Sequence, residues 1–198
     1  DDACCNASRE EIIRRYYKAL CNLAEDKGSE GEVNKLRLLL KQANLSTDYR
    51  RVTVAARARK EVGGQHCAAM ELPDGTVITS TTSELLGQSA ALILNATKHL
   101  AGIPHDVKLI PQEIIEPIQK TKVSYLHGHN PRLHTDEVLV ALSILSVSDE
   151  KCRRALDMLP QLRGCQMHST SMLSEVDAKV FNRLGVGLTC DPVKKHKR

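Results

Sequence analysis

Five side chains of this 198-residue sequence pair a chemically useful type with neighbours that could use it: Arg132, His134, His168, Ser169 and Thr170. They lie in two clusters, Asn130-Pro131-Arg132-Leu133-His134-Thr135-Asp136-Glu137 and Gly164-Cys165-Gln166-Met167-His168-Ser169-Thr170. If the clusters meet, His134 and His168 with Asp136 or Glu137 would be suitable metal ligands, and a bound zinc would activate water for hydrolysis. Neither H-E-x-x-H nor H-x-E with a following P-C-x-x-C occurs, so no metal is assigned. A nucleophile reading would take Cys165 or Ser169 with His168. On a regular strand Cys165 and His168 face opposite ways, and no G-x-S-x-G elbow is present. The third chemistry is anion binding. A helix opening at Thr135 has free backbone N–H groups, and these with Arg132 and the Ser169 and Thr170 hydroxyls could hold a phosphate or carboxylate. Asp136 and Glu137 oppose a bare anion there; in the plainer reading they complement the helix dipole behind Thr135 as N-cap.

These residues need a scaffold, and the periodicity supplies one. Ser8-Arg9-Glu10-Glu11 fits a capping box ahead of Ile12, Ile13, Tyr16, Tyr17, Leu20 and Leu23 at helical spacing. Further helices are expected over Glu32 to Ala43 and about Asp48 to Glu61, making a helical subdomain over residues 1–62. Gly63-Gly64 marks a boundary. Beyond it, His66 to Leu72 and Thr76 to Ser80 flank Pro73-Asp74-Gly75 as a hairpin, and Ser83-Glu84 is expected to open a helix to Leu100. Short strands are expected at Val107 to Ile110 and Val123 to Leu126, around a short helix from Gln112 interrupted at Pro117. Thr135 opens a helix to about Val147 whose run Val138 to Leu145 should be almost wholly buried. Ser148-Asp149-Glu150 and Ser174-Glu175 open two more helices, and Gly164 to Thr170 and Val186 to Cys190 read as strands. The fold class is therefore α+β or α/β: a small helical subdomain, then a layered α/β sandwich over residues 63–192 with helices on both sheet faces, and a basic tail at 193–198.

Composition excludes several functions. Four Tyr, one Phe and no Trp leave no platform for stacking nucleic-acid bases, so nucleic acid is not an expected partner. The net charge of +4 owes much to Lys194-Lys195-His196-Lys197-Arg198. Arg50, Arg51, Arg57, Arg59 and Lys60 on the third helix could contact phosphates, though a solvated face is the plainer reading. Seven cysteines without C-x-x-C spacing read as reduced thiols, which places the protein in the cytoplasm. No apolar run approaches the roughly 18 residues of a membrane helix, so no membrane partner is expected. No phosphate-cradling glycine loop is present, and no cofactor is assigned. The opening Asp1-Asp2 reads as a fragment or processed piece of something longer.

Several blocks carry a resemblance. Asp2-Ala3-Cys4-Cys5, Glu11-Ile12-Ile13-Arg14-Arg15-Tyr16-Tyr17, Glu71-Leu72-Pro73-Asp74-Gly75, the Asn130 to Leu139 stretch and Leu162 to Thr170 are similar to the C-terminal part of the bacterial family called domain of unknown function 1846. The resemblance implies a longer protein with an N-terminal α/β half bearing a P-loop-like segment. That missing half and a second copy are the expected partners, and a small anionic ligand is compatible with the site. Some members are labelled ATP-dependent peptidase, which no protease signature here supports. The resemblance also implies a cytidine-deaminase-like sandwich. Where a deaminase sets its zinc ligand and Glu, this chain has Gly87-Gln88-Ser89-Ala90, so the likeness stops at fold. The leading expectation is a region that completes a ligand cleft or oligomer interface and is not catalytic alone. The alternative is a metal-dependent or deaminase-like hydrolase using His134 and His168.

Overall fold

A computed structural model describes residues 2–193, so the basic tail lies outside the described residues. Helix α1 spans Asp2–Ala24, α2 Glu30–Gln42 and α3 Arg51–Gly63. Strands β1, Cys67–Glu71, and β2, Val77–Thr81, precede α4, Gln88–Leu100. Helices α5, Gln112–Lys120, α6, Thr135–Leu145, and α7, Glu150–Asp157, lead to β3, Gln166–Ser169, then α8, Glu175–Arg183, and β4, Gly187–Cys190.

The four strands form one mixed sheet in the order β2-β1-β3-β4, antiparallel across β1 and parallel between β3 and β4. Residues two apart share a face, so Ala68 and Met70 join Met167 in a core with Leu92, Ile93, Leu142 and Phe181 from α4, α6 and α8. The intervening Ala69 packs instead on Val52 and Ala56 of α3. Thus α3, expected to sit with the first two helices, covers one sheet face, while α1 also reaches β4. The structure is a mixed α+β chain with helices against both faces of the sheet.

The hairpin forms where the Asp-Gly pair implied. Gly75 takes φ +80, its N–H donates to Leu72 O, and Asp74 Oδ1 accepts from Thr76 N–H at 2.9 Å. Ser174 caps α8 as expected, its hydroxyl accepting from Asp177 N–H.

Other expectations need correction. Ser8 is interior to α1, where its hydroxyl donates to Cys4 O one turn back and does not cap. Residues Ser83 to Leu86 are a turn closed by Leu86 N–H on Ser83 Oγ, and α4 starts only at Gln88. Val107 to Ile110 is a loop and not a strand; Lys98 Nζ donates to His105 O and Val107 O, holding carbonyls that a strand would have offered a neighbour. Val123 to Leu126 is no strand either. Helix α5 runs through Pro117 without the expected interruption, and after Lys120 the chain continues as a π-helical turn over Thr121–Tyr125, with Val123 and Tyr125 exposed and no sheet edge beside them to realise their β preference. Finally, α6 is buried on one side only: Val138, Ala141 and Leu142 face the core, while Val140 is 60% and Ile144 68% exposed.

Arg50, just before α3, fastens these layers. It is fully buried, with Nε 2.8 Å from Glu10 Oε2 of α1. Nη1 donates to Thr189, and Nη2 donates to Gln166 Oε1 and to Gly187 O, each at 2.9 Å. A Cβ at Gly187 would displace the Gln166 amide that meets Arg50. Removing one partner of a buried ion pair strands the other, so Arg50→Ala is expected to lower stability by about 3–5 kcal/mol in urea unfolding.

Candidate functional site

Strands β2, β3 and β4 run in one direction, opposite to β1, so their carboxyl ends share a sheet edge. In open α/β sheets ligands bind outside that edge, where helix N-termini gather. Three gather here. The chain leaves β2 through the Ser83 turn into α4, and leaves β3 through residues 170–173 into α8. An isolated bridge between Leu86 and Leu133 brings in the start of α6.

The edge is lined by polar side chains in an otherwise apolar interior. Gln88 is fully buried; its amide donates to Ser169 Oγ at 3.2 Å and Ser171 Oγ at 2.9 Å, and its Oε1 accepts from Thr82 Oγ1 at 2.9 Å. Ser80 Oγ donates to Gln88 O. Thr170 Oγ1 accepts from Cys67 N–H at 2.9 Å, tying the edge to β1. Arg132 Nε donates to Ser83 O at 2.5 Å, which sets its guanidinium beside the turn before α4. Of the five expected residues, Arg132, His134, Ser169 and Thr170 lie on this edge.

His168 does not join them. Alternation along β3 turns it toward α1 and α3, where its ring packs on Tyr17 with centroids 5.1 Å apart. Nδ1 lies 2.9 Å from Thr189 Oγ1 and Nε2 lies 3.4 Å from Asp191 Oδ1. Asp191 also accepts from Arg57, which reaches Tyr17 Oη at 3.0 Å. His134 is bound across the sheet to Asp177 and Ser174, so the structure does not bring the two imidazoles together. Among the described residues no group of three or more His, Cys, Asp or Glu side chains is arranged to hold a metal ion. The inward role of Arg50 and Arg57 was missed by reading the third helix as a solvated face. Thr53 and Ala56, small residues between them at helical spacing, were the available signal.

Comparison with known proteins gives the lineage. The model described as "Domain of unknown function DUF1846, C-terminal" matches residues 48–198. The chain belongs to the DUF1846 family. Its N-terminal counterpart matches residues 1–44, so the likeness is not confined to the C-terminal part as expected. A UPF0371 protein of Corynebacterium urealyticum is 46% identical over 97% of this chain and 39% of its own length. One from Corynebacterium glutamicum strain R is 45% identical and one from Streptococcus pyogenes serotype M1 43%, each over all of this chain and 40% of the relative. This DUF1846 chain thus spans about 40% of the length of these bacterial relatives. Among its described residues no helix is long and apolar enough to cross a membrane.

Two helix N-termini of this DUF1846 chain treat anions oppositely. At α6 the place is taken. Asp177 Oδ1 accepts from Thr135 N–H at 2.8 Å and Thr135 Oγ1 at 2.6 Å, and Oδ2 accepts from Ser174 Oγ at 2.7 Å, with His134 Nδ1 at 3.1 Å. His134, not Thr135, is the N-cap, and its N–H donates to Glu137 Oε2 at 2.7 Å. At α4 the N-cap is Gly87; no side chain caps the first turn and no acid lies in it. Ser89 Oγ, in a residue 1% exposed, has no hydrogen-bond partner among the described residues. The anion site expected at Thr135 is therefore blocked, and the open one is a few residues from Arg132's anchor.

Burial would raise the Asp177 carboxyl, but hydrogen bonds from His134, Thr135 and Ser174 outweigh it and hold the group well below the usual range. Asp191 is likewise raised by burial and lowered further by His168 and Arg57, to about 2. His168 itself is pushed down by burial, against Asp191, so it is a neutral imidazole at neutral pH and Arg57 carries the positive charge of that group. A depressed carboxyl stabilises fully above its unfolded value of about 4 and loses that contribution as pH falls toward its folded value. The urea midpoint should therefore drop between about pH 4 and 2, and Asp177→Asn should be about 1–3 kcal/mol less stable at pH 7 with a flatter acid limb.

Proposed function

We propose that this region binds a small anion, a phosphate or carboxylate, at the carboxyl edge of its sheet and is not catalytic by itself. The observation that carries the reading is the unpartnered, buried Ser89 hydroxyl within the first, uncapped turn of α4. Gly87 lets a ligand approach the backbone: an added Cβ would find only Leu133 O and Ser89 Oγ, each at 3.8 Å. Arg132, anchored on Ser83, supplies a guanidinium at the mouth. Gln88, Ser169 and Ser171 form a rigid floor. The hydrolase reading through His134 and His168 has no geometric support. The hairpin β1–β2 followed by a small-residue helix in a two-sided sandwich favours a cytidine-deaminase-like architecture. The cytoplasm is the proposed compartment, since all seven cysteines are reduced thiols.

The cleft would be completed by the part of the family's length that this chain does not span. The outer side of α6, where Val140, Ile144 and Val147 are exposed, is the surface assigned to that contact. Val140→Lys with Ile144→Lys should change this chain's stability by less than about 0.5 kcal/mol, whereas the matching pair in the full-length Corynebacterium glutamicum relative should cost about 2 kcal/mol or more. Equal effects in both proteins would remove the surface.

The anion site is tested by titrating inorganic phosphate into isotope-labelled protein. The Gln88, Ser89 and Ala90 amides should shift saturably. Gly87→Asp places a carboxylate at the N-cap; it should add a few tenths of a kcal/mol of stability and abolish those shifts. Shifts absent in the wild type, or unchanged in Gly87→Asp, would refute the reading.

A further inference from the structure

A cavity of about 300 Å³ lies along α4. Leu85, Leu94, Ile110 and Ile115 give it apolar walls, from the Ser83 turn, α4, the 105–110 loop and α5. Its volume is at the lower end of those that hold small molecules. Two polar groups reach it from α4, Asn95 and Lys98, three residues apart and so on one helix face.

Lys98 is 8% exposed. Its ammonium has three N–H bonds and gives two to His105 O, at 2.8 Å, and Val107 O, at 3.2 Å. Among the described residues no carboxylate lies within ion-pair distance of it. Asp106, the one acid lining the cavity, is exposed and screened by water, with the exposed Lys108 two residues on. Burial pushes the Lys98 ammonium below the ordinary lysine value, and the exposed Asp106 carboxylate offsets this only in part. Asn95 gives one amide proton to Thr79 O at 3.2 Å and keeps a second. A buried cation with a spare donor, beside a spare amide donor, in walls of leucine and isoleucine, is complementary to one ligand chemistry. An alcohol or alkane would leave the charge uncompensated, and an amine would repel it.

We infer that this cavity is a binding site for a monocarboxylate with a short apolar body, its carboxylate on Lys98 and Asn95 and its hydrocarbon against Leu85, Leu94, Ile110 and Ile115. The cavity meets the Ser89 anion site only at Ser83, whose carbonyl anchors Arg132, and its ligand-binding groups, Lys98 and Asn95, are separate from Ser89. Occupancy would stiffen the 105–110 loop, which Lys98 already holds, and the Ser83 turn that carries Arg132's anchor.

The experiment is calorimetric titration of the chain with hexanoate and with hexan-1-ol. Hexanoate should bind about tenfold more tightly than the alcohol, and Lys98→Met should bring the two within about twofold while alcohol binding persists. Because Lys98→Met also frees two carbonyls, a second variant is needed. Ala91→Leu puts a larger side chain into the cavity with Lys98 untouched, and should weaken hexanoate by about tenfold while leaving phosphate shifts at Ser89 unchanged. No hexanoate binding, equal affinity of the acid and the alcohol in the wild type, or full affinity in Ala91→Leu would overturn the site.

Discussion

The Arg50 guanidinium is the contact on which the arrangement of layers depends. A cation sealed from water must have its N–H groups met by acceptors in the right directions, or the interior would not tolerate it. Here the hydrogen-bond acceptors come from β3 and β4 and the ion-pair partner, Glu10, from α1, so meeting them fixes how α1 and α3 lie against the sheet. Thr189 links that charge to His168, and His168 to Asp191 and Arg57. The histidine that looks most like a catalyst is thus a neutral spacer between the buried Arg50 and the half-exposed Arg57. Its Nδ1 meets Thr189 and its ring packs on Tyr17, so it holds β3 to β4 and α1.

The opposite side of the sheet shows what the arrangement leaves available. With β2, β3 and β4 parallel, three helix N-termini converge on one edge, and each must satisfy its first-turn N–H groups. Ser174 does this for α8 and Asp177 for α6. For α4 no side chain among the described residues does, although Gln88, Ser89 and Ala90 are all buried. A buried helix start without a cap is costly unless an outside group completes it. That asymmetry, more than any motif, is the reason to look for a ligand there. Membership of the DUF1846 family names no activity for it, and the relatives' greater length leaves room for the rest of a cleft.

Elements whose signals are local were readable from residues. Asp74-Gly75 set the hairpin, Ser174 set the start of α8, and β3 and β4 lie within the stretches 164–170 and 186–190 that read as strands. Elements whose signals are shared between states were not. Val107 to Ile110 and Val123 to Leu126 have strand composition, but a strand exists only when a neighbour pairs with it, and neither segment has one. The run Val138 to Leu145 looked buried on every side because hydrophobicity reports affinity for a partner, not its presence; Val140 and Ile144 are exposed in this chain. Arg50 and Arg57 looked solvated because charge suggests water, and only an acceptor from a distant element makes an inward arginine stable.

The sequence by itself determined the type of most elements, the polar clustering around Arg132 and Ser169, and the family resemblance, because these rest on neighbours within a few residues. Only the tertiary structure decided which candidates share a site. His134 and His168 were equally plausible partners in the linear chain. A strand's side chains alternate, so the face on which His168 lies follows from β3 being paired between β1 and β4 with α1 and α3 on one side. That pairing is made by contacts a hundred residues apart, such as Arg50 with Thr189, and no local pattern encodes it.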